Sequence, residues 1–130
     1  MTSAVWWWLR SPNYNNNNNF CNVNTGGGNN TASYVTSTTD YLPLLSEFEY
    51  HGTRTYANSA EQNYQKQYDY YKAGNSKVHY RHDSTGTAVN AWTRSAISGS
   101  STNFCLVDTD GTPNYNDADV SRALAPGFAA

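Results

Sequence analysis

Three histidines, two cysteines and one run of acids are the side chains from which this chain could build a reactive site. His79 and His82 lie three apart, across a predicted strand and turn. A strand sends successive side chains to alternate faces, so these two point opposite ways and make poor joint metal ligands, with or without His51. Cys21 and Cys105 each follow a Phe, and neither has a basic residue within several positions that would lower its pKa. They read as small buried hydrophobes rather than as reactive thiols or a disulfide. Asp108 to Asp119 places acids at the first, third and twelfth positions of a calcium-binding loop. Such a loop needs Gly at its sixth position and a bidentate Glu at its twelfth, where this chain has Pro113 and the shorter Asp119. No nucleophile, base and orienting group form a set. The residues therefore indicate no catalysis, no bound metal and no cofactor.

Composition narrows the partners. Charged residues make up 14% of the chain and the net charge is −2, yet aromatics reach 15%, with eleven Tyr and four Trp. Asn contributes 17 residues and Ser plus Thr 27, so the polarity is uncharged. Disordered chains couple low hydrophobicity to high charge and few aromatics, which excludes that class here. A folded, loop-rich domain with a modest core fits instead. Eight Lys+Arg against ten Asp+Glu leave no basic patch able to track a phosphate backbone, which excludes nucleic acid as a partner. No apolar run nears the roughly 18 residues of a membrane span. Met1 to Arg10 shows neither the basic nor the apolar region of a signal peptide.

The strongest organising signal is an internal repeat. Trp8, Arg10, Ser11, Asn19, Phe20, Cys21, Val23, Thr25 and Gly27 recur 84 residues on as Trp92, Arg94, Ser95, Asn103, Phe104, Cys105, Val107, Thr109 and Gly111. The kept residues include those that fill cores, so Trp92, Phe104, Cys105 and Val107 are expected to be buried. Arg94, kept beside an indole, is expected to hold a structural ion pair or hydrogen bond. Trp8, Arg10 and Phe20 are given the same structural roles in the first copy. The changed residues are mostly Asn in the first copy: Asn13 becomes Ile97, Asn16 Ser100, Asn18 Thr102, Asn22 Leu106 and Asn24 Asp108. Changing only the adenines of an Asn codon reaches each of these replacements. A fixed frame carrying varied positions is how binding loops are built.

Trp7-Trp8-Leu9-Arg10-Ser11-Pro12, followed by Asn19-Phe20-Cys21-Asn22-Val23-Asn24-Thr25, resembles the WWLRSP module of C-type-lectin-like domains of bacteria and their phages. Some of those are the variable target proteins of diversity-generating retroelements, in which an adenine-mutagenised template copy overwrites the end of the target gene. Ala123-Leu124-Ala125-Pro126-Gly127-Phe128 is similar to the C-terminal strand of that family. So are the segments from Leu42 to Glu49 and from Tyr70 to Lys77. The second copy departs from the motif at Ala91, Thr93 and Ala96, and the first begins almost at Met1, as in a truncated or rearranged gene. The resemblance implies an α+β, C-type-lectin-like fold of the formylglycine-generating-enzyme-like subtype. It implies a partial N-terminal repeat copy over 1–39 and a lectin-like domain over 40–130, with a variable region at about 91–122. No paired reactive-Cys pattern of formylglycine-generating enzymes carries over.

The elements that must position these residues are short. Asp40 is a plausible N-cap for Leu42, Leu44, Leu45 and Phe48, which suit either a short helix or a strand. Ser59 with Gln62 fits a capping box, and Tyr64, Gln67, Tyr68 and Tyr71 recur at helical spacing, so a helix is predicted over 60–73. Gly74-Asn75 stops it. Lys77 to Arg81 reads as a strand and Asp83 to Gly86 as a turn. Ile97 to Thr102 is an expected exposed loop. The functional expectation is a non-catalytic ligand-binding or adhesion module, with a working surface of Ile97, Ser98, Ser100, Thr102, Leu106, Asp108, Asp110, Thr112, Asn114 and Tyr115. Its partner would be a protein or carbohydrate at a cell surface, and its setting a cell surface or phage particle. The competing readings are an enzyme of formylglycine-generating or hydrolase type, or a fragment without function.

Overall fold

A computed structural model describes residues 44–57, 65–100 and 102–126, together with the backbone of 20–22 and 35–37. Most of the described chain is β structure with two short helices, a coarse α+β arrangement. The strands are β1 (Phe20–Asn22), β2 (Val35–Ser37), β3 (His79–Arg81), β4 (Ser84–Val89), β5 (Ala91–Ala96), β6 (Asn103–Val107), β7 (Pro113–Asp117) and β8 (Ala123–Leu124). The helices are α1 (Glu47–His51) and α2 (Asp69–Lys72). β1 pairs with β2 and β3 with β4, while four strands form one sheet in the order β7-β6-β5-β8. Trp8 and Arg10, and the side chain of Phe20, lie outside the described residues.

Both repeat copies place Phe-Cys on the first strand of an antiparallel hairpin. Cys21 stands opposite Thr36 on β2, and Cys105 opposite Tyr115 on β7. In the second copy Cys105 and Val107 are buried, as their alternation along β6 requires. Cys105 is a free thiol. Trp92 and Phe104 are only half-buried, against the expectation for both. Trp92 is the register partner of Leu106, and Phe104 is two residues before Leu106 on the same face. The two large rings flank Leu106 and leave their own outer edges in solvent, while Leu106 is buried at 1% exposure.

The Trp-x-Arg-Ser segment is a bulged strand. Trp92 pairs with Leu106 and Ala96 with Phe104, so three residues of β5 face one of β6. Thr93 repairs the gap by donating its hydroxyl to the Cys105 carbonyl at 2.9 Å. The bulge turns Arg94 out of the ladder. Its N–H donates to the Leu45 carbonyl at 3.1 Å, and its guanidinium reaches the Leu44 carbonyl and both oxygens of Glu49. Ser95, the next kept residue, accepts from the Glu47 N–H at 2.9 Å. Two of the kept polar residues of the repeat, Arg94 and Ser95, therefore hold α1.

Helix α1 turns its acids inward. Ser46 caps it, accepting from the Glu49 N–H while the Glu49 carboxylate accepts from the Ser46 N–H, a reciprocal capping box. Glu47 is fully buried and accepts from the N–H groups of Thr55, Tyr56 and Ala57 at 2.8–3.1 Å. Buried carboxylates persist only when so paired. Gly52 closes the helix at φ 69°, with its N–H on the Phe48 carbonyl. The left-handed conformation demands glycine there, and a β-carbon would in addition push against the Gln67 side-chain amide, whose Oε1 lies 2.5 Å from its position. Leu45, Tyr50, Tyr68 and Val107 form the apolar core under the helix.

The predicted helix over 60–73 is corrected to Asp69–Lys72. Residues 58–64, including the expected Ser59–Gln62 box, lie outside the described residues. Residues 65–68 are irregular because tertiary bonds claim them: the Tyr68 N–H donates to Glu49 O, Gln67 donates to Tyr50 O, and Gln65 accepts from the Ser46 hydroxyl. Local helix propensity is a weak preference beside such anchors. The helix stops as expected, with Gly74 at φ 87°. The expected strand over 77–81 is shortened to His79–Arg81, and the expected turn over 83–86 moves to His82-Asp83, with Ser84 already in β4.

Candidate functional site

The varied positions come from the two ends of the β5-β6-β7 meander. At one end, Ile97 makes an isolated bridge to Ala57, and the Ser98 N–H donates to the Tyr56 carbonyl at 2.8 Å. Gly99 supplies the left-handed turn at φ 81°. Of the expected loop over 97–102, Ser101 lies outside the described residues; Ser98, Gly99 and Thr102 are exposed, while Ile97 and Ser100 are half-buried, and Ile97 and Ser98 are docked on Ala57 and Tyr56. Ser100 and Thr102 both donate to Asn103 Oδ1, at 2.6 and 3.0 Å, and the Asn103 amide donates to Asp117 at 2.9 Å. That chain of bonds holds the turn to the end of β7.

At the other end, Asp108 to Thr112 forms the β6-β7 loop. The Gly111 N–H closes on Asp108 O and the Asp108 N–H on Thr112 O, with Gly111 at φ 85°. This is a three-residue hairpin loop whose left-handed position takes glycine. Asp108 accepts from the Asn114 amide and the Thr109 N–H, which hold its carboxyl below the ordinary range. Thr112, through its hydroxyl and its N–H, does the same for Asp110. The first two acids of the apparent calcium loop thus brace the hairpin, and Pro113–Asp117 within its second half is strand β7. Among the described residues no group of three or more His, Cys, Asp or Glu is placed to hold a metal ion.

Tyr115 stands on β7 and is 43% exposed. Its ring meets Tyr56 edge-on, at 4.9 Å between centroids. Such tilted aromatic pairs are favourable beyond their area. The ten expected residues do not form one patch. The two ends are separated by the five residues of β6, roughly 16 Å at the rise of a strand. Leu106 is corrected: it lies on the buried face between Trp92 and Phe104 and offers nothing to a ligand. Asn114 is half-buried and engaged with Asp108. Ile97, Ser98 and Tyr115 meet the Tyr56–Ala57 segment, while Ser100 and Thr102 are tied to Asn103 and Asp117 at the same end of the sheet.

Tyr56, Asn103 and Asp117 belong to this end and were not among the expected residues. Asn103 was legible as a kept position of the repeat. Tyr56 arrives through the bonds of its own N–H to Glu47, across a sequence gap that carries no local signal. The histidines are dispersed. His51 and His79 flank the Tyr50 ring at 6.1 and 5.5 Å, whereas His82 is exposed in the β3-β4 turn. The chemistry available at the Tyr56–Tyr115 end is that of hydroxyls, amides, one carboxylate and aromatic faces, which suits contact and hydrogen bonding.

Residues 1–40 match the family described as Domain of unknown function (DUF6273). That match contains the whole first repeat copy, Trp8 to Gly27. No curated protein matches the chain. No solved structure matches it either.

Proposed function

We propose that the chain is a non-catalytic ligand-binding or adhesion module of C-type-lectin-like type, whose working face is the β5-β6 turn with Tyr56 and Tyr115. One juxtaposition carries this reading. Arg94 and Ser95, kept in both repeat copies, are fastened to α1, and after the buried Ala96 the chain reaches the changed positions from Ile97 on, beside the pair of half-buried Tyr56 and exposed Tyr115. Tyrosine provides rigid contact area, while Ser, Thr and Asn provide adaptable hydrogen bonds, as in antibody paratopes. The concentration of changes at Asn positions supports adenine-directed diversification as the origin of the second copy. The partner would be a protein or a carbohydrate displayed on a cell surface, and the module would belong to a cell surface or a phage particle.

The test is a display library randomised at Ile97, Ser98, Ser100, Thr102 and Tyr115, selected on immobilised glycans and on cell-surface proteins. Folded members with new, saturable binding support the module. A library that stays folded and yields no binder under strong selection overturns it.

A further inference from the structure

A second surface, away from the Tyr56–Tyr115 end, has the features of a small-ligand site. β3, the last residues of β4 and β8 enclose an open cleft of about 910 Å³, with Thr109 of the β6-β7 loop also on its wall. That volume lies within the usual range for small-molecule sites. Among the described residues three large hydrophobic side chains are well exposed, and two of them, Tyr80 at 53% and Leu124 at 66%, line this cleft. Its cations are Arg81 and Arg122, with His82 beside them. Arg81 is neutralised, since its guanidinium forks onto both oxygens of Asp83 at 2.9 and 2.7 Å. Arg122 has no acid partner among the described residues. One of its terminal nitrogens donates to Ser121 O, and its Nε is buried without an acceptor.

We infer that this cleft binds a small organic monoanion, a carboxylate carrying an apolar or aromatic group. Arg122 receives the carboxylate, and Tyr80 and Leu124 cover the apolar part. The reasoning is charge and shape together. One unneutralised guanidinium matches a single negative charge rather than a phosphate dianion, and a carboxylate oxygen is a strong acceptor for a guanidinium N–H. The exposed ring and isobutyl group then match a hydrophobic body. This carboxylate comes either from a free acid or from the C-terminus of a peptide ending in a hydrophobic residue.

Amide-resolved NMR titration of the intact chain decides it, with four probes: phenylacetate, benzyl alcohol, an acetylated tripeptide ending in Phe, and the same peptide C-terminally amidated. Saturable shifts centred on Tyr80, Arg122 and Leu124 with phenylacetate assign free acids. The same shifts with the free-carboxylate peptide alone assign a peptide terminus. Arg122→Gln is expected to weaken the binding about tenfold or more, because a charge-assisted pair is lost. Leu124→Ser, at an exposed position, is expected to weaken it while leaving the rest of the spectrum unchanged. No saturable shift at millimolar phenylacetate or peptide overturns the assignment. So does benzyl alcohol binding as well as phenylacetate, or undiminished affinity in both variants.

Discussion

Arg94 and Glu49 face each other fork to fork, Nη1 to Oε2 at 2.8 Å and Nη2 to Oε1 at 2.7 Å, with both side chains more than nine-tenths out of solvent. The same carboxylate completes the cap of α1, and the same arginine backbone ties β5 to Leu45. One ion pair thus joins a strand bulge, a helix start and the segment before the helix. Breaking such a pair leaves the surviving charge buried and uncompensated.

Arg94→Ala is therefore expected to destabilise the fold by about 3–5 kcal/mol. Arg94→Lys keeps the charge but loses the planar fork, so it recovers only part of that loss. Chemical denaturation of Arg94→Ala, Glu49→Gln and the double variant measures the coupling. Additive losses, with no interaction energy between the sites, would show that the two residues act separately.

Acid should weaken the protein well above the carboxylate range. Burial, with the Lys77 ammonium adding to it, pushes His51 down to about 4 from its ordinary 6.5, and burial lowers His79 as well. Between those two pH values the unfolded chain binds protons that the folded chain refuses, so the unfolding free energy falls as pH falls. The stability is complete above pH 6.5 and is lost as pH drops towards 4. Asp108 and Asp110, held below their ordinary 3.8, add losses only at lower pH still. Thermal unfolding followed from neutral pH downwards should show an early decline that is shallower in His51→Gln. A melting temperature flat until the carboxylates titrate would contradict it.

Strand β7 is an edge of the four-stranded sheet, yet its outward amides are closed. The bonds from Asp108 N to Thr112 O and from Ala118 N to Thr102 O set the ladder so that odd-numbered residues of β7 point outward. Pro113 has no N–H, Tyr115 donates to the Asn114 side chain, and Asp117 donates to the Asn116 side chain. A closed edge resists pairing with a second chain. Replacing Asn114 and Asn116 together by Ala should make the protein associate with rising concentration, measured by sedimentation velocity. A variant that stays monomeric would mean that the two asparagines do not guard the edge.

The repeat made the frame legible where both copies share a residue whose chemistry allows few roles. A kept Arg beside an indole must be paired, and Arg94 is. The N-cap expected for this segment, Asp40, lies outside the described residues; the cap that forms is Ser46, and the apolar cluster before it suited strand as well as helix. The helix over 60–73 was over-read because helical spacing of Tyr and Gln says nothing of the carbonyls and cap on α1 that residues 65–68 satisfy instead. Leu106 misled for the opposite reason. Its counterpart is Asn22, so it looked varied and exposed, and it does point away from Cys105 and Val107, yet it is buried on its own face of the sheet, where Trp92 and Phe104 stand beside it. Tyr56 had no signal at all, because its place is set by the buried Glu47 carboxylate eight to ten residues from the amides it holds.

Single substitutions in the second copy, with Thr102 and Leu106 taking the first copy's Asn, separate surface from frame. Thr102→Asn places the first copy's Asn18 equivalent at an exposed turn position, and a change within about ±0.5 kcal/mol is expected. Tyr115→Ser removes an exposed ring that touches Tyr56, and its effect on stability should stay near that of one aromatic contact, about 0.5–1.5 kcal/mol. Leu106→Asn is different in kind. It removes a fully buried branched side chain and leaves an amide without partners between Trp92 and Phe104, so a loss of about 2–5 kcal/mol is expected. Denaturant midpoints of the three variants, read beside the affinity of any ligand obtained by selection, give the ordering. Thr102→Asn and Tyr115→Ser should move affinity more than stability, and Leu106→Asn the reverse. Equal stability losses at Thr102 and Leu106 would mean that the varied positions are part of the frame, and the turn would lose its standing as a binding face.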